Sequence, residues 1–289
     1  MSLRDDGHAA VAWRRAKVGA HQLLRLADHV RHPQAYPRPL RAQPGQTFAW
    51  LHGTSQTQVN REDAAADPLL EVGKRHNLGL AAPAFDSLVL GPDRPLSFWA
   101  TLGRVTQARG YRHGLELRGG CLLPALGGGL CLLSNALFAL GAQLGWTILE
   151  RHGHTLQAVP PPPDQLWGLD ATLFWPYVDL RMAPAQLVQL QCRLQDGALH
   201  LAVHGTELPS VRCVLRSQAD RTLLEHGDDI RYNQLVRDTF AVDSGALLAS
   251  EVVAHNRKRM LESVEQARTC LTCGELACKS RQTVPDQRV

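Results

Sequence analysis

Residues 127–138 read GGGLCLLSNALF, and the fold turns on whether this stretch is a glycine turn feeding a buried helix. From residue 131 to residue 144 almost every side chain is apolar, so no helical face is left for water, and Gly145 follows as a stop. The spacing predicts a buried helix. The three glycines ahead of it can take positive φ and approach another backbone closely. The first helical turn presents unpaired N–H groups and a partial positive charge. A thiol placed there ionises more easily, and the same N–H groups can stabilise an oxyanion. Cys131 is therefore a candidate nucleophile, and Gly127, Gly128, Gly129 and Ser134 are candidates for its oxyanion or substrate loop. The competing reading is packing alone, since free cysteine is among the most buried residue types.

A nucleophile needs a base and the base needs an orienter. The following WTILERHGH, residues 146–154, reads as an extended strand carrying His152 and His154 on one side. Either can serve as the base. Asp170 in WGLDATLFW or Asp179 in YVDL can supply the carboxylate. The chain order Cys, His, Asp, with the cysteine on a buried helix, is that of papain-like and transglutaminase-like enzymes, an analogy at the level of fold.

Outward from this centre, residues 8–32 have helical periodicity until the proline-punctuated HPQAYPRPLRAQPG. Residues 46–130 read mostly as short strands, among them LSFWATLG and HGLELRGG, separated by turn signals. Pro160 to Pro163 form a polyproline connector. Val188, Leu190, Cys192 and Leu194 alternate with polar residues up to Asp196-Gly197, a hairpin signal, and a second hairpin over 231–256 turns near Asp243 to Gly245. The expected architecture is α+β, with one buried helix packed on an antiparallel sheet. Residues 1–45 form a helical extension and linker, 46–260 the main domain, and 261–289 a short helix, a cysteine cluster and a disordered tail.

The chain has 289 residues, 44% of them apolar and 20% charged, with a formal net charge of +4. Scattered basic residues do not make a nucleic-acid footprint. No segment approaches the ~20 apolar residues of a membrane span, and no export signal is visible, so a cytoplasmic protein is expected. The 31 basic residues include a group over residues 8–41 that reads as a solvated helix face or a docking surface for an acidic protein partner. Seven cysteines argue against a disulfide framework. Cys270, Cys273 and Cys278 have C-x2-C-x4-C spacing, which suits a zinc site with an iron–sulfur cluster as the alternative. A fourth ligand would have to come from His226 or His255. No nucleotide cofactor is expected.

In order, GGGLCLLSNALF, ERHGHT and LDATLFWPYVDLRM resemble the motifs of the VanW-like family, with flanking similarity over about residues 77–256. Gly127, Gly128, Gly129, Cys131, Ser134, Glu150, Arg151, His152, His154, Asp170, Asp179 and Leu180 stand at matching positions. The family is associated with glycopeptide resistance and the cell envelope. The residues point to a cysteine-dependent acyl-transfer enzyme of peptidase or amidase type, and the resemblance implies a peptide or cell-wall precursor as its substrate class. Leu132 departs from the pattern, which has glutamine there, and Thr155 and Ala183 depart from its serine and asparagine. A lost glutamine donor would cost an oxyanion site about 2.7–4 kcal/mol unless another group substitutes. The alternative is thus a non-catalytic binding or accessory protein on the same fold, with a metal-stabilised tail.

Overall fold

The computed structural model describes residues 7–59, 68–118, 121–157, 166–260 and 268–269. A long helix α1 (Gly7–Arg31) and a 3-10 turn (Pro33–Ala35) lead into strand β1 (Trp50–Gln58) and helix α2 (Pro68–Phe85). Then come β2 (Leu88–Leu90), β3 (Leu96–Ser97), α3 (Phe98–Leu102), β4 (His113–Arg118) and β5 (Cys121–Leu126). Helix α4 (Leu130–Gln143) is followed by β6 (Thr147–Glu150), β7 (Leu156–Gln157) and β8 (Arg181–Ala183). The chain continues through β9 (Val188–Gln195), β10 (Ala198–Gly205), β11 (Val211–Glu225), β12 (Asp228–Ala241), β13 (Leu247–Met260) and β14 (Arg268–Thr269).

Among the described residues the strands form four sheets, ordered β1-β10-β9-β2, β11-β12-β13-β7, β14-β5-β4 and β3-β8-β6. Every pairing is antiparallel except β13 with β7 and β14 with β5. Helix α4 packs against α2, β1, β10 and β11. Its apolar sequence has no wet face: Leu133, Leu137, Phe138 and Ala142 are all fully buried. At its end Gly145 takes φ 79°, Trp146 N–H returns to the Gly141 carbonyl at 2.9 Å, and the helix stops in a Schellman-type turn. Buried Arg237 of β12 then donates to the carbonyls of Ala142 (3.3 Å) and Trp146 (2.8 Å), satisfying exposed acceptors at the negative end of the helix.

The mixed α and β class agrees with the sequence, as do the α4 stop, the hairpin at Asp196-Gly197 and the β12–β13 turn. Two readings change. Residues 46–130 are not dominated by strands, because α2 buries Leu70, Gly73, Asn77, Leu78, Ala81, Ala82 and Phe85 at helical spacing. LSFWATLG is also not a strand beyond Ser97: its hydroxyl accepts the Ala100 N–H at 3.1 Å, and the Asp179 carboxylate accepts the Trp99 N–H at 3.1 Å. The second hairpin gains a third long strand, β11, on its outer side. Pro160 to Pro163 and the helix and cysteine cluster expected after residue 260 lie outside the described residues.

Candidate active site

The glycine run owes its composition to packing. Gly73 of α2, Gly114 of β4 and Gly128 meet backbone to backbone, and a Cβ on any of them would enter a neighbouring main chain. Buried Asn77 fastens the junction: its Nδ2 donates to the carbonyls of Gly128 (3.0 Å) and Arg112 (2.9 Å), and its Oδ1 accepts the Arg112 N–H (2.9 Å). Gly127 and Gly129 have φ of 76° and 98°, values that other residues rarely take. Helix α4 therefore begins at a fixed place, with Cys131 half-buried in its first turn.

Two further contacts tie α4 to the segment carrying Asp170. Ser134 Oγ donates to the Ala171 carbonyl at 2.5 Å and lies 3.1 Å from the Cys131 carbonyl. Asn135 Oδ1 accepts the Ala171 N–H at 2.8 Å. Ser134 is thus spent on holding two segments together. Both backbone polar groups of Ala171 are thereby clamped, which fixes the position of the adjacent Asp170.

Asp170 Oδ2 accepts His154 Nδ1 at 2.8 Å and the His154 N–H at 2.7 Å. The Cys131 side chain also interacts with the His154 ring and favours its charged form. With Nδ1 held by the carboxylate, Nε2 is the nitrogen left to serve the thiol. Asp170 Oδ1 is bonded by Lys258 Nζ and lies 3.4 Å from Arg151 Nη2. Arg151 also donates to the carbonyls of Asp170 (2.7 Å) and Gly168 (2.8 Å), and its guanidinium lies 5.0 Å from the centre of the Phe138 ring. Lys258 sits 4.9 Å from the centre of a Trp167 ring.

The charges follow from these contacts. Burial alone would lower the pKa of His154, but its interactions with Asp170 and Cys131 outweigh that and raise it to about 9. Burial likewise opposes ionisation of Asp170, and His154, Lys258 and Arg151 together hold its carboxyl well below the usual range. Burial pushes the Lys258 ammonium down, against the attraction of Asp170.

Of the candidate pairs, the structure brings together Cys131, His154 and Asp170. His152 and His154 do not share a strand face, because β6 ends at Glu150 and the chain turns. His152 is half exposed and reaches Glu150 at 3.2 Å instead. Asp179 is fully buried away from both histidines, bonded to Ser97 Oγ at 2.6 Å and to the N–H groups of Trp99 and Leu180. Burial pushes its carboxyl up to about 6 despite these donors. Cys270, Cys273 and Cys278 lie outside the described residues, and among the described residues no group of three or more His, Cys, Asp or Glu could hold a metal ion.

Sequence reasoning missed Lys258, Asn135 and the anchoring role of Arg151. Asn135 follows Ser134 directly, and a polar pair inside an otherwise apolar helix was a visible signal for a buried partner. Lys258 lies over a hundred residues from Cys131, and nothing local marks it.

Residues 73–204 match the family model described as VanW like protein. The chain is 25% identical over 214 residues to the vancomycin B-type resistance protein VanW of Enterococcus faecalis (strain ATCC 700802 / V583), covering 73% of this chain and 78% of that protein. It is 28% identical over 141 residues to the protein YoaR of Bacillus subtilis (strain 168), covering 48% of this chain and 45% of that one. No solved structure matches. The matched family segment contains Cys131, His154 and Asp170, while Lys258 and α1 lie beyond it.

Proposed function

The chain is a member of the VanW-like family through residues 73–204, and from that premise we propose that it is a cysteine-dependent acyl-transfer enzyme of peptidase or amidase type. The observation that carries this reading is the His154 ring held between Cys131 and Asp170. In this mechanism His154 takes the thiol proton of Cys131. The sulfur attacks an amide or ester carbonyl carbon, and the carbon–nitrogen or carbon–oxygen bond breaks as His154 gives its proton to the leaving group. Water or an amine then attacks the thioester, His154 takes its proton, and the thiolate leaves. Asp170 keeps Nδ1 occupied, so the other nitrogen faces the sulfur throughout. The Cys131 N–H in the first turn of α4 supplies an oxyanion donor that the Leu132 side chain cannot, while the Leu130 and Leu132 N–H groups are bonded to the Gly127 and Gly129 carbonyls.

The vancomycin resistance named for the Enterococcus faecalis relative supports a peptide or cell-wall precursor as the substrate class. A second reading, an accessory protein without catalysis, is favoured by Leu132, which has no donor to offer an oxyanion. Iodoacetamide labelling of Cys131 across pH separates the two. Catalysis requires fast labelling with an apparent pKa well below the ~8.5 of a free thiol, lost in His154→Ala. A thiol that stays unlabelled until the protein unfolds overturns it. A structural zinc at Cys270, Cys273 and Cys278 is a separate proposal resting on their spacing, tested by metal analysis of the purified chain before and after Cys273→Ser.

A further inference from the structure

Helix α1 packs with its polar side inward. Gln22 Nε2 reaches the Trp175 carbonyl at 3.5 Å, Arg25 donates to both carboxylate oxygens of Glu150 and to the Tyr177 carbonyl at 2.8 Å, and Asp28 accepts the Tyr36 hydroxyl at 2.6 Å. The His29 ring lies 3.8 Å from that of Tyr36. Residues 22, 25 and 29 recur at the spacing of one helix face. The opposite side carries the large apolar residues, and it faces water: Trp13 is 74% exposed, Leu23 69%, Leu24 66%, Leu26 52% and Val30 82%. Exposed Ala16 and Ala20 fall on the same side. Most surface helices bury this stripe and expose the polar one.

An apolar stripe on a helix anchored by its polar face is a surface built to meet something else. The charge says what. Helix α1 contains five Lys and Arg residues against a single Asp, and Arg25 and Asp28 are already engaged by the body of the protein. Lys17 and Arg31 stand exposed. A leucine stripe with a tryptophan and flanking cations is the pattern of a helix lying in the plane of a lipid interface. We propose that the outer face of α1 docks on an anionic lipid bilayer surface, its Leu and Trp side chains entering the acyl boundary while Lys17 and Arg31 reach headgroup phosphates. A second copy of the chain fits less well. It would bring two basic helices together, and a single helix stripe falls short of the ~20–30 residues a side of a standard protein interface. This docking is peripheral: among the described residues, no helix is long and apolar enough to cross a membrane.

Flotation of the full chain with vesicles tests the proposal, using phosphatidylcholine alone and phosphatidylcholine mixed with phosphatidylglycerol. Binding is expected to the mixed vesicles and to fall with added salt. The double substitution Leu23→Asp/Leu24→Asp lowers it by about tenfold or more. Lys17→Glu/Arg31→Glu keeps the apolar stripe intact and is also expected to lower binding about tenfold or more, while removing most of its salt dependence. Circular dichroism on each variant verifies that α1 stays folded. The proposal is overturned by absent binding to the mixed vesicles, by binding indifferent to headgroup charge, or by a dimer in light scattering that Leu23→Asp/Leu24→Asp dissociates.

Discussion

One carboxylate oxygen of Asp170 accepts both the ring Nδ1 of His154, at 2.8 Å, and the backbone N–H of the same residue, at 2.7 Å. Such double attachment fixes the ring plane as well as its tautomer. It does so from a carboxylate whose second oxygen is held by Lys258 and Arg151, so the aspartate cannot turn away without leaving two cations unpaired. Orientation of His154 is therefore a property of three separate stretches of chain, meeting beside the first turn of α4.

Replacing the carboxylate tests that dependence. In Asp170→Asn the pKa of His154 should fall from about 9 toward or below the usual ~6.5, because the charge that favours the imidazolium is gone. The sign carries through to stability. A raised histidine pKa stabilises the fold fully below ~6.5 and loses that contribution as pH rises through about 9. Urea melts of the parent should therefore weaken between neutral pH and pH 9, and those of Asp170→Asn should lose this component. The substitution also leaves Arg151 and Lys258 buried without their counter-charge, at a cost of about 3–5 kcal/mol at neutral pH.

Lys258→Met removes one of the two cations while keeping a chain that packs on Trp167. Less positive charge near the relay makes protonation of His154 easier, so its titration should move upward, opposite to the effect of Asp170→Asn. Histidine ring proton shifts followed across pH by NMR distinguish the directions. A downward or absent shift would mean that Lys258 holds the strand in place and does not act on the relay.

The sequence carried the centre of the site because its signals are local. Cys131 stands where a glycine turn meets an apolar run, and Gly145 ends the run with the left-handed residue a helix stop needs. His152 and His154 were indistinguishable on that basis, since alternation places both on one side of an assumed strand. What separates them is the end of β6 at Glu150, set by pairing with β8, and a carboxylate sixteen residues on that takes one backbone N–H. Such a choice is tertiary. Helix α2 was legible in its i, i+3 and i+4 burial pattern but obscured by glycines and by Pro83, which sits in its final turn and has no N–H to return to the preceding turn. Gly73 is the backbone contact with β4, visible only once both elements are in place.

Acid should release α1 late. Burial raises the pKa of Glu150, but its bonds from His152, Arg25 and the Asp179 N–H outweigh this and bring it down to about 2. A depressed carboxyl pKa gives stability that is present above the unfolded value near 4.5 and lost as pH falls through about 2. The Arg25–Glu150 pair should thus hold to well below pH 4, whereas Glu150→Gln should loosen α1 already at neutral pH. Amide hydrogen exchange over residues 18–31 reads this directly. Exchange there should be faster in Glu150→Gln than in the parent, with protection of α4 unchanged.

Gly128→Ala asks whether the glycine run serves packing or chemistry. A methyl group at this position would be driven into the carbonyl of Gly114 and the N–H of Leu115, both main-chain groups in β4, whose preceding residue Arg112 is held by Asn77. Neither can yield as a flexible side chain would, so the cost should reach about 1–3 kcal/mol or more in urea melts. The loop and the first turn of α4 must shift together, since Leu130 N–H and Leu132 N–H bond back to Gly127 and Gly129. Cys131 moves with them relative to His154, which belongs to a different segment. Labelling of Cys131 at neutral pH should accordingly slow even in the fraction that stays folded. Full reactivity in a folded but destabilised Gly128→Ala protein would show that the glycines hold α2 to β4 and have no part in placing the thiol.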